Sequence, residues 1–307
     1  MSEENNIQNR RPKTEQEGNT SQSEREADID ALRCLAELGL DRAQLNLGIY
    51  LANGVGCEEN PAEALYWIRA AADQGLDAAQ CCLGDCLANG LCGEADKAEA
   101  VKWYRTAAEQ GFGTAQFRLA CCLQFGEGCP ADEVESMKWL RLAAQQGHVE
   151  AQFRLACCLQ FGEGCPVDEA ESVKWMRLAA QQGHDLAQNQ LGYALCLGIG
   201  CEKNEEEGVK WFRASAEQGV AEAQGNLGEC LYRGEGCEKN LEEAVKWLRA
   251  SADQDHDEAQ YYLALCLIHG EGCPKDREEG LRWLRRAAEK GNEEARGLLE
   301  RIGKEDA

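Results

Sequence analysis

No stretch of this 307-residue chain approaches the ~18 uninterrupted apolar residues that a membrane-spanning helix requires. Its N-terminus also lacks the apolar core of ~7–15 residues that marks a secretory signal peptide. The chain is therefore expected to be cytoplasmic and not to insert into a membrane. Basic residues are scarce: 32 Lys and Arg against 55 Asp and Glu give a net charge of −23, a field that repels phosphate backbones and anionic lipid. Nucleic acid is not an expected partner. Ser-x-x-Lys, Gly-x-Ser-x-Gly, phosphate-loop and His-Glu-x-x-His motifs are all absent, and no set of unrepeated polar residues suggests a catalytic cleft. The sequence reads as no enzyme and implies no cofactor. Residues 1–25 hold only Met1 and Ile7 as sizeable apolar groups, too few to offset the entropy of ordering, and are expected to form a disordered polar tail.

What the chain does have is a period. All seven tryptophans, Trp67, Trp103, Trp139, Trp175, Trp211, Trp247 and Trp283, stand 36 residues apart. The same step carries Ala43 to Ala295 and Leu47 to Leu299. Such self-similarity marks a repeat architecture. Within a unit the apolar spacing is helical twice over: Ala115, Leu119, Cys122 and Gly126 form one stripe, and Ser136, Trp139, Leu140, Ala143 and Ala144 another. Gly at 54, 90, 126, 162, 198, 234 and 270 ends the first helix, because only Gly enters the left-handed region without a Cβ penalty. The second helix begins at Asn60, Asp96, Asp132, Asp168, Asn204, Asn240 or Asp276, with Glu three residues later each time, the pattern of a capping box. It stops at a Gly in six units; Asp255 replaces that Gly in the sixth unit, where a strained or weaker turn is expected.

The string Ala223-Gln224-Gly225-Asn226-Leu227-Gly228, then Gly234-Glu235-Gly236, Asn240-Leu241-Glu242-Glu243-Ala244, Trp247, Arg249-Ala250-Ser251-Ala252 and Gln254 closely resembles the Sel-one-like repeat, a relative of the tetratricopeptide repeat. The resemblance covers about residues 26 to 303. It implies an all-α, right-handed α/α superhelical solenoid of seven helix-pair repeats, about 41–76, 77–112, 113–148, 149–184, 185–220, 221–256 and 257–292, with a capping helix at each end and a C-terminal tail over 304–307. It also implies a non-catalytic scaffold or adaptor that binds a protein or peptide. The resemblance is imperfect in one turn: Gly90-Leu-Cys-Gly93 transposes the last letters of Gly-x-Gly-Cys, which questions the geometry there.

Eighteen cysteines recur with the period: Cys122 and Cys129, Cys158 and Cys165, Cys230 and Cys237, and Cys266 and Cys273 each join a first-helix position to the following turn, seven residues on. Cys57 faces Tyr50 and Cys201 faces Ala194 in the same register, which obligate bridges would not leave. Buried free thiols, disulfides within a unit, and a metal at Cys81, Cys82, Cys86 and Cys92 are the three readings, and a thiol-redox or metal-handling protein is the functional alternative to a scaffold. The tryptophans are expected in the core. His148, His184 and His256 are expected in solvated turns, and the arginines two residues after each Trp are expected to pair with the acid or amide four residues on.

A second apolar stripe runs along the first helices. Phe117, Cys121 and Phe125 in the third unit and Phe153, Cys157 and Phe161 in the fourth lie about 130° from the Ala-Leu core stripe at ~100° per residue. Tyr193, Tyr232 and Tyr261 fall on equivalent faces. The third and fourth units match at 29 of 33 positions over Gln116–His148 and Gln152–His184, differing only at 131/167, 134/170, 137/173 and 140/176. By the same resemblance these nine residues line a concave partner-binding groove; packing against neighbouring helices is the competing expectation.

Overall fold

The structure, a computed structural model, describes residues 22–91 and 93–305, with side chains from 29 to 303. All regular structure among the described residues is helical. The contacts divide the chain into two compact units, Met1–Ala115 with Glu127–Cys129, and Gln116–Gly126 with Pro130–Ala307. The first holds α1 (Gln22–Glu37), α2 (Asp41–Asn53), α3 (Pro61–Asp73), α4 (Asp77–Asn89) and α5 (Lys97–Glu109). The second holds most of α6 (Gly113–Phe125), then α7 (Glu133–Gln145), α8 (Val149–Phe161), α9 (Glu169–Gln181), α10 (Asp185–Leu197) and α11 (Glu205–Glu217). It continues through α12 (Ala221–Arg233), α13 (Leu241–Asp253), α14 (Asp257–His269), α15 (Arg277–Lys290) and α16 (Glu293–Glu305). Each unit is a stack of helix pairs, a solenoid in which every pair buries its apolar face on its neighbours. Of the polar tail read over 1–25, residues 1–21 lie outside the described residues, whereas the backbone is already helical from Gln22. Likewise α16 runs through residues 304 and 305 of the segment assigned to the C-terminal tail, and residues 306–307 lie outside the described residues.

Each hairpin closes by one repeated device. Gly54, Gly90, Gly162, Gly198, Gly234 and Gly270 take the left-handed conformation after the first helix. The N–H of the residue that caps the second helix then donates to a first-helix carbonyl, as in Asn60 to Leu51, Asp96 to Leu87 and Asn204 to Leu195. That bond leaves only half of a capping box: the Asn or Asp oxygen accepts from the Glu N–H three residues on, but the cap's backbone N–H is already taken and does not reach the Glu carboxylate. That carboxylate accepts the Trp indole N–H four residues later instead, in all seven units. The transposed turn keeps the closure, with Leu91 N–H on Cys86 O and Asp96 N–H on Leu87 O.

The core differs from the expected one. Six of the seven tryptophans are only half-buried, and Trp283 alone is buried. The buried large residue of each second helix is the next one, Ile68, Tyr104, Leu140, Met176, Phe212, Leu248 and Leu284. Several sit against a first-helix Gly whose missing Cβ makes the room, as Tyr104 does at Gly84 and Phe212 at Gly192. The tryptophan is displaced toward the rim because its N–H needs an acceptor, and the Glu that supplies one is a charged group that keeps to solvent.

The arginines also pair differently from expectation. Arg33 to Glu63, Arg69 to Glu99, Arg141 to Glu171, Arg177 to Glu207, Arg213 to Glu243 and Arg249 to Glu279 are all 30 residues apart, so each ion pair links consecutive second helices rather than two turns of one helix. Buried glutamines add a second ladder. Gln188 Nε2 donates to Ala180 O at 3.1 Å, and its Oε1 accepts from Gln218 Nε2 at 2.8 Å. The same two-way bond recurs at Gln44, Gln80, Gln152 and Gln224. This accounts for two of the repeat's recurrent glutamines: the buried one is satisfied at both ends of its amide, by a carbonyl of the preceding repeat and by the exposed glutamine at the rim of its own.

The ion-pair ladder sets a pH dependence. Hydrogen bonds from arginine hold Glu63, Glu171, Glu207, Glu243 and Glu279 below the usual carboxylate range, with the tryptophan N–H adding to the effect. A carboxyl whose pKa is lower folded than unfolded adds stability above its unfolded value of about 4.3, and that stability is lost as pH falls through the lowered folded value. Thermal melts should therefore show a midpoint that holds at neutral pH and falls below about pH 4.5. Glu207→Gln should shallow that decline; an unchanged profile would show that the ladder does not set it.

Asp255 is the one non-glycine residue with positive φ among the described residues, at 72°. The expected strain is present but held. Its carboxylate meets Arg286 at 3.1 Å and Lys290 at 3.3 Å, and Lys290 Nζ also donates to its carbonyl at 2.6 Å.

Candidate functional site

The nine stripe residues do not share one environment. Phe125 is 59% exposed, Phe161 69% and Tyr193 45%, whereas Phe117, Cys121, Phe153, Cys157, Tyr232 and Tyr261 are half-buried. Phe117 stacks on His148 with ring centroids 4.8 Å apart, and Phe153 on His184 at 4.4 Å. Those histidines are not solvated turn residues. His148, His184 and His256 cap α8, α10 and α14, each Nδ1 accepting the N–H three residues later. An imidazole acceptor at an N-cap leaves no signal that a list of the usual capping residues would catch.

At the ends of α6, α8 and α10 the picture is different. Phe125, Phe161 and Leu197 occupy the last position of three successive first helices, and all three are exposed. The same position in the first unit carries Asn53 and Asn89, whose amides turn back onto their own helix carbonyls. Val167, exposed, lies over Gly162 beside Phe161. Arg154 lies over the Phe125 ring at 4.8 Å, and its Nε donates to Gln124 Oε1 at 3.2 Å, while Gln124 Nε2 donates to Glu163 Oε2 at 2.9 Å. Tyr232, Tyr261 and Tyr262 cluster farther along with ring centroids 5.3 and 5.7 Å apart. There the Tyr262 hydroxyl donates to Glu229 at 2.7 Å and accepts from Arg233, so that cluster is internally satisfied.

The cysteines answer to a local geometry. Cys57, Cys165 and Cys201 each point the thiol at the carbonyl seven residues back, on Tyr50, Cys158 and Ala194, at 3.8, 3.6 and 3.7 Å. The acceptor is main chain, so the first-helix residue need not be Cys, which removes the puzzle of the unmatched turn cysteines. Burial raises the thiols of Cys158, Cys230 and Cys266 to about 12, far from the thiolate that redox or metal chemistry needs. No group of three or more His, Cys, Asp or Glu among the described residues is arranged to hold a metal; Cys92 lies outside them. No helix among them is long and apolar enough to cross a membrane.

Comparison with known proteins gives consistent matches. A family model described as Sel1 repeat matches seven times, at residues 41–76, 77–112, 113–148, 149–184, 185–220, 221–256 and 257–292. A protective antigen of uropathogenic Escherichia coli strains with an SLR fold aligns at a TM-score of 0.84 and 33% identity, over 91% of this chain and 60% of that one. A Sel1 repeat protein from Oxalobacter formigenes aligns at 0.68 and 31% identity, over 92% of this chain and 83% of that one. The chain thus spans about 60% of the length of the first of these. No curated protein matches it.

Proposed function

Since the chain belongs to the Sel1 repeat family, we propose that it is a non-catalytic scaffold whose first-helix face binds a protein or peptide partner. The observation that carries this reading is the row of exposed apolar residues, Phe125, Phe161 and Leu197 with Tyr193, on helices whose Ala-Leu stripe is already fully buried. Large apolar side chains repeated at one exposed helix position do nothing for the core, and contiguous ones mark interaction surfaces. Phe117 and Phe153, half-buried, pack on His148 and His184 rather than offering themselves to a partner.

The test is capture of partners from the native cell by the full chain and by Phe125→Glu with Phe161→Glu. Exposed sites shift stability by under ~0.5 kcal/mol, so the melting temperature should hold while specific partners are lost. Retention of every partner by the double variant would sink the assignment of this face. We also propose a cytoplasmic location, which fractionation checks.

A further inference from the structure

The first and last helices meet solvent through different chemistry. The last, α16, presents Glu294, Arg296, Glu300 and Arg301, the polar outer face that the end of a helix stack requires. The first, α1, presents leucines: Leu38 is 77% exposed and Leu35 44%. Leu40, also exposed, continues the patch through the turn, its N–H on the Leu35 carbonyl at 3.3 Å. In the seven repeats the position of Leu35 holds a buried Ala or Ser, and that of Leu38 holds Gln or Lys. Both positions face the first helix of their own repeat: Ser215 and Ser251 donate to the carbonyl of its first residue, and Gln74, Gln110 and Gln218 to its buried glutamine. No first helix precedes α1 among the described residues. Tyr50 on α2 borders the same place. Its position is Cys or Ala in the six later repeats, where it meets the preceding first helix as Cys158 meets Gln124, 3.8 Å away, and here it is 39% exposed.

We propose that this face, made by Leu35, Leu38, Leu40 and Tyr50, joins two copies of the chain about a two-fold axis. The inference is separate from the partner-binding row, whose residues all lie in the second compact unit. A helix added in the register of the repeat is the wrong occupant: Leu35 and Tyr50 stand where such a helix meets Ala, Ser or Cys, and they fill the space it would need. The chain's own N-terminus offers little to cover leucines, since residues 1–21 hold only Met1 and Ile7 as sizeable apolar groups. Charge favours a second copy. Residues 31–57 carry Arg33 and Arg42 against Glu37 and Asp41, a net charge of zero in a chain of −23, so two copies meet here without the repulsion that separates their acidic surfaces elsewhere. Glu37 and Arg42 have no ion pair among the described residues, and a two-fold axis offers each the opposite charge of the other copy. Because an isologous contact uses the same patch twice, assembly closes at two chains.

Sedimentation velocity of the full chain across a range of concentrations reads the assembly directly. The wild type should sediment as a species of twice the chain's mass. Leu38→Glu places one carboxylate from each copy in the contact and should weaken the dimer ~100-fold or more. Leu38→Gln, which restores the residue most repeats carry there, should weaken it ~10-fold or more through the apolar area lost on both copies. Because Leu38 is mostly exposed, both variants should keep the helical circular dichroism of the wild type; if the Glu variant does not, the Gln variant carries the comparison. Arg301→Glu, on α16, should leave the dimer unchanged. A chain that stays monomeric at every concentration overturns the proposal, as does a dimer that survives both Leu38 variants or one that Arg301→Glu dissociates. Species that grow past two chains overturn the two-fold axis. None of these results bears on the partner-binding row, which the capture experiment decides separately.

Discussion

Gly200→Ala is expected to lower stability by roughly 2–5 kcal/mol, the sum of a left-handed backbone penalty and a close main-chain collision. Gly200 has φ 65°, and a Cβ built there lies 2.3 Å from Glu169 O, the carbonyl at the start of the preceding repeat's second helix. Gly164, Gly236 and Gly272 meet the same main-chain position one repeat back, at 2.6, 2.5 and 2.2 Å. The second glycine of Gly-x-Gly is thus a contact between repeats, not only a turn former. Main chain cannot rotate away as a side chain can, so the turn itself must shift. Gly297→Ala is the control: it is exposed on α16 with nothing within 4 Å, and should raise stability by up to ~1 kcal/mol. Denaturant melts of the two variants compare them directly, and equal effects would refute the contact.

Gln188→Leu is expected to cost roughly 1–3 kcal/mol despite being close to isosteric. It removes two hydrogen bonds of a buried side chain, one to the Ala180 carbonyl and one from the exposed Gln218 amide, each worth about 0.5–1.5 kcal/mol. Ala180 O keeps the Gly183 N–H at 3.0 Å and Gln218 keeps Gly183 O at 3.2 Å, so both losses are partial. The ordering can be checked with Gln218→Leu, which leaves the Gln188-to-Ala180 bond intact and should cost less. A reversed order would show that the ladder, not the carbonyl, carries the energy.

The repeat, its two helices, the glycine caps and the Asn or Asp starts were legible because each is a fixed identity at a fixed step. The rest was hidden where the deciding fact is a partner in another repeat. Nothing in Arg177 taken alone shows that Glu207, rather than Gln181, receives it. The buried residue after each Trp varies from Tyr to Met to Leu, so identity at that position gave no signal, while the constant Trp drew the core to itself. One feature of the candidate site was visible in part: the phenylalanine stripe stood out, but whether each ring meets solvent depends on the histidine that follows, present behind Phe117 and Phe153 and absent at Phe125 and Phe161.

The glutamine ladder also determines how this chain should come apart under force. Its rungs join residues 30 apart that belong to the two helices of one repeat, so tension on the ends can be relieved one repeat at a time. Each released repeat of 36 residues would lengthen the chain by up to about 120–130 Å. The second unit has an obvious place to begin. Gln260 Oε1 is buried without a partner, because the residue 30 positions on is Lys290, which has turned to Asp255 instead. The last helix pair therefore lacks the rung that joins its own two helices, although Gln260 Nε2 still donates to Ala252 O of the repeat before, and pulling from the C-terminus should peel α15 from α14 at a lower force than any other second helix of that unit leaves its partner.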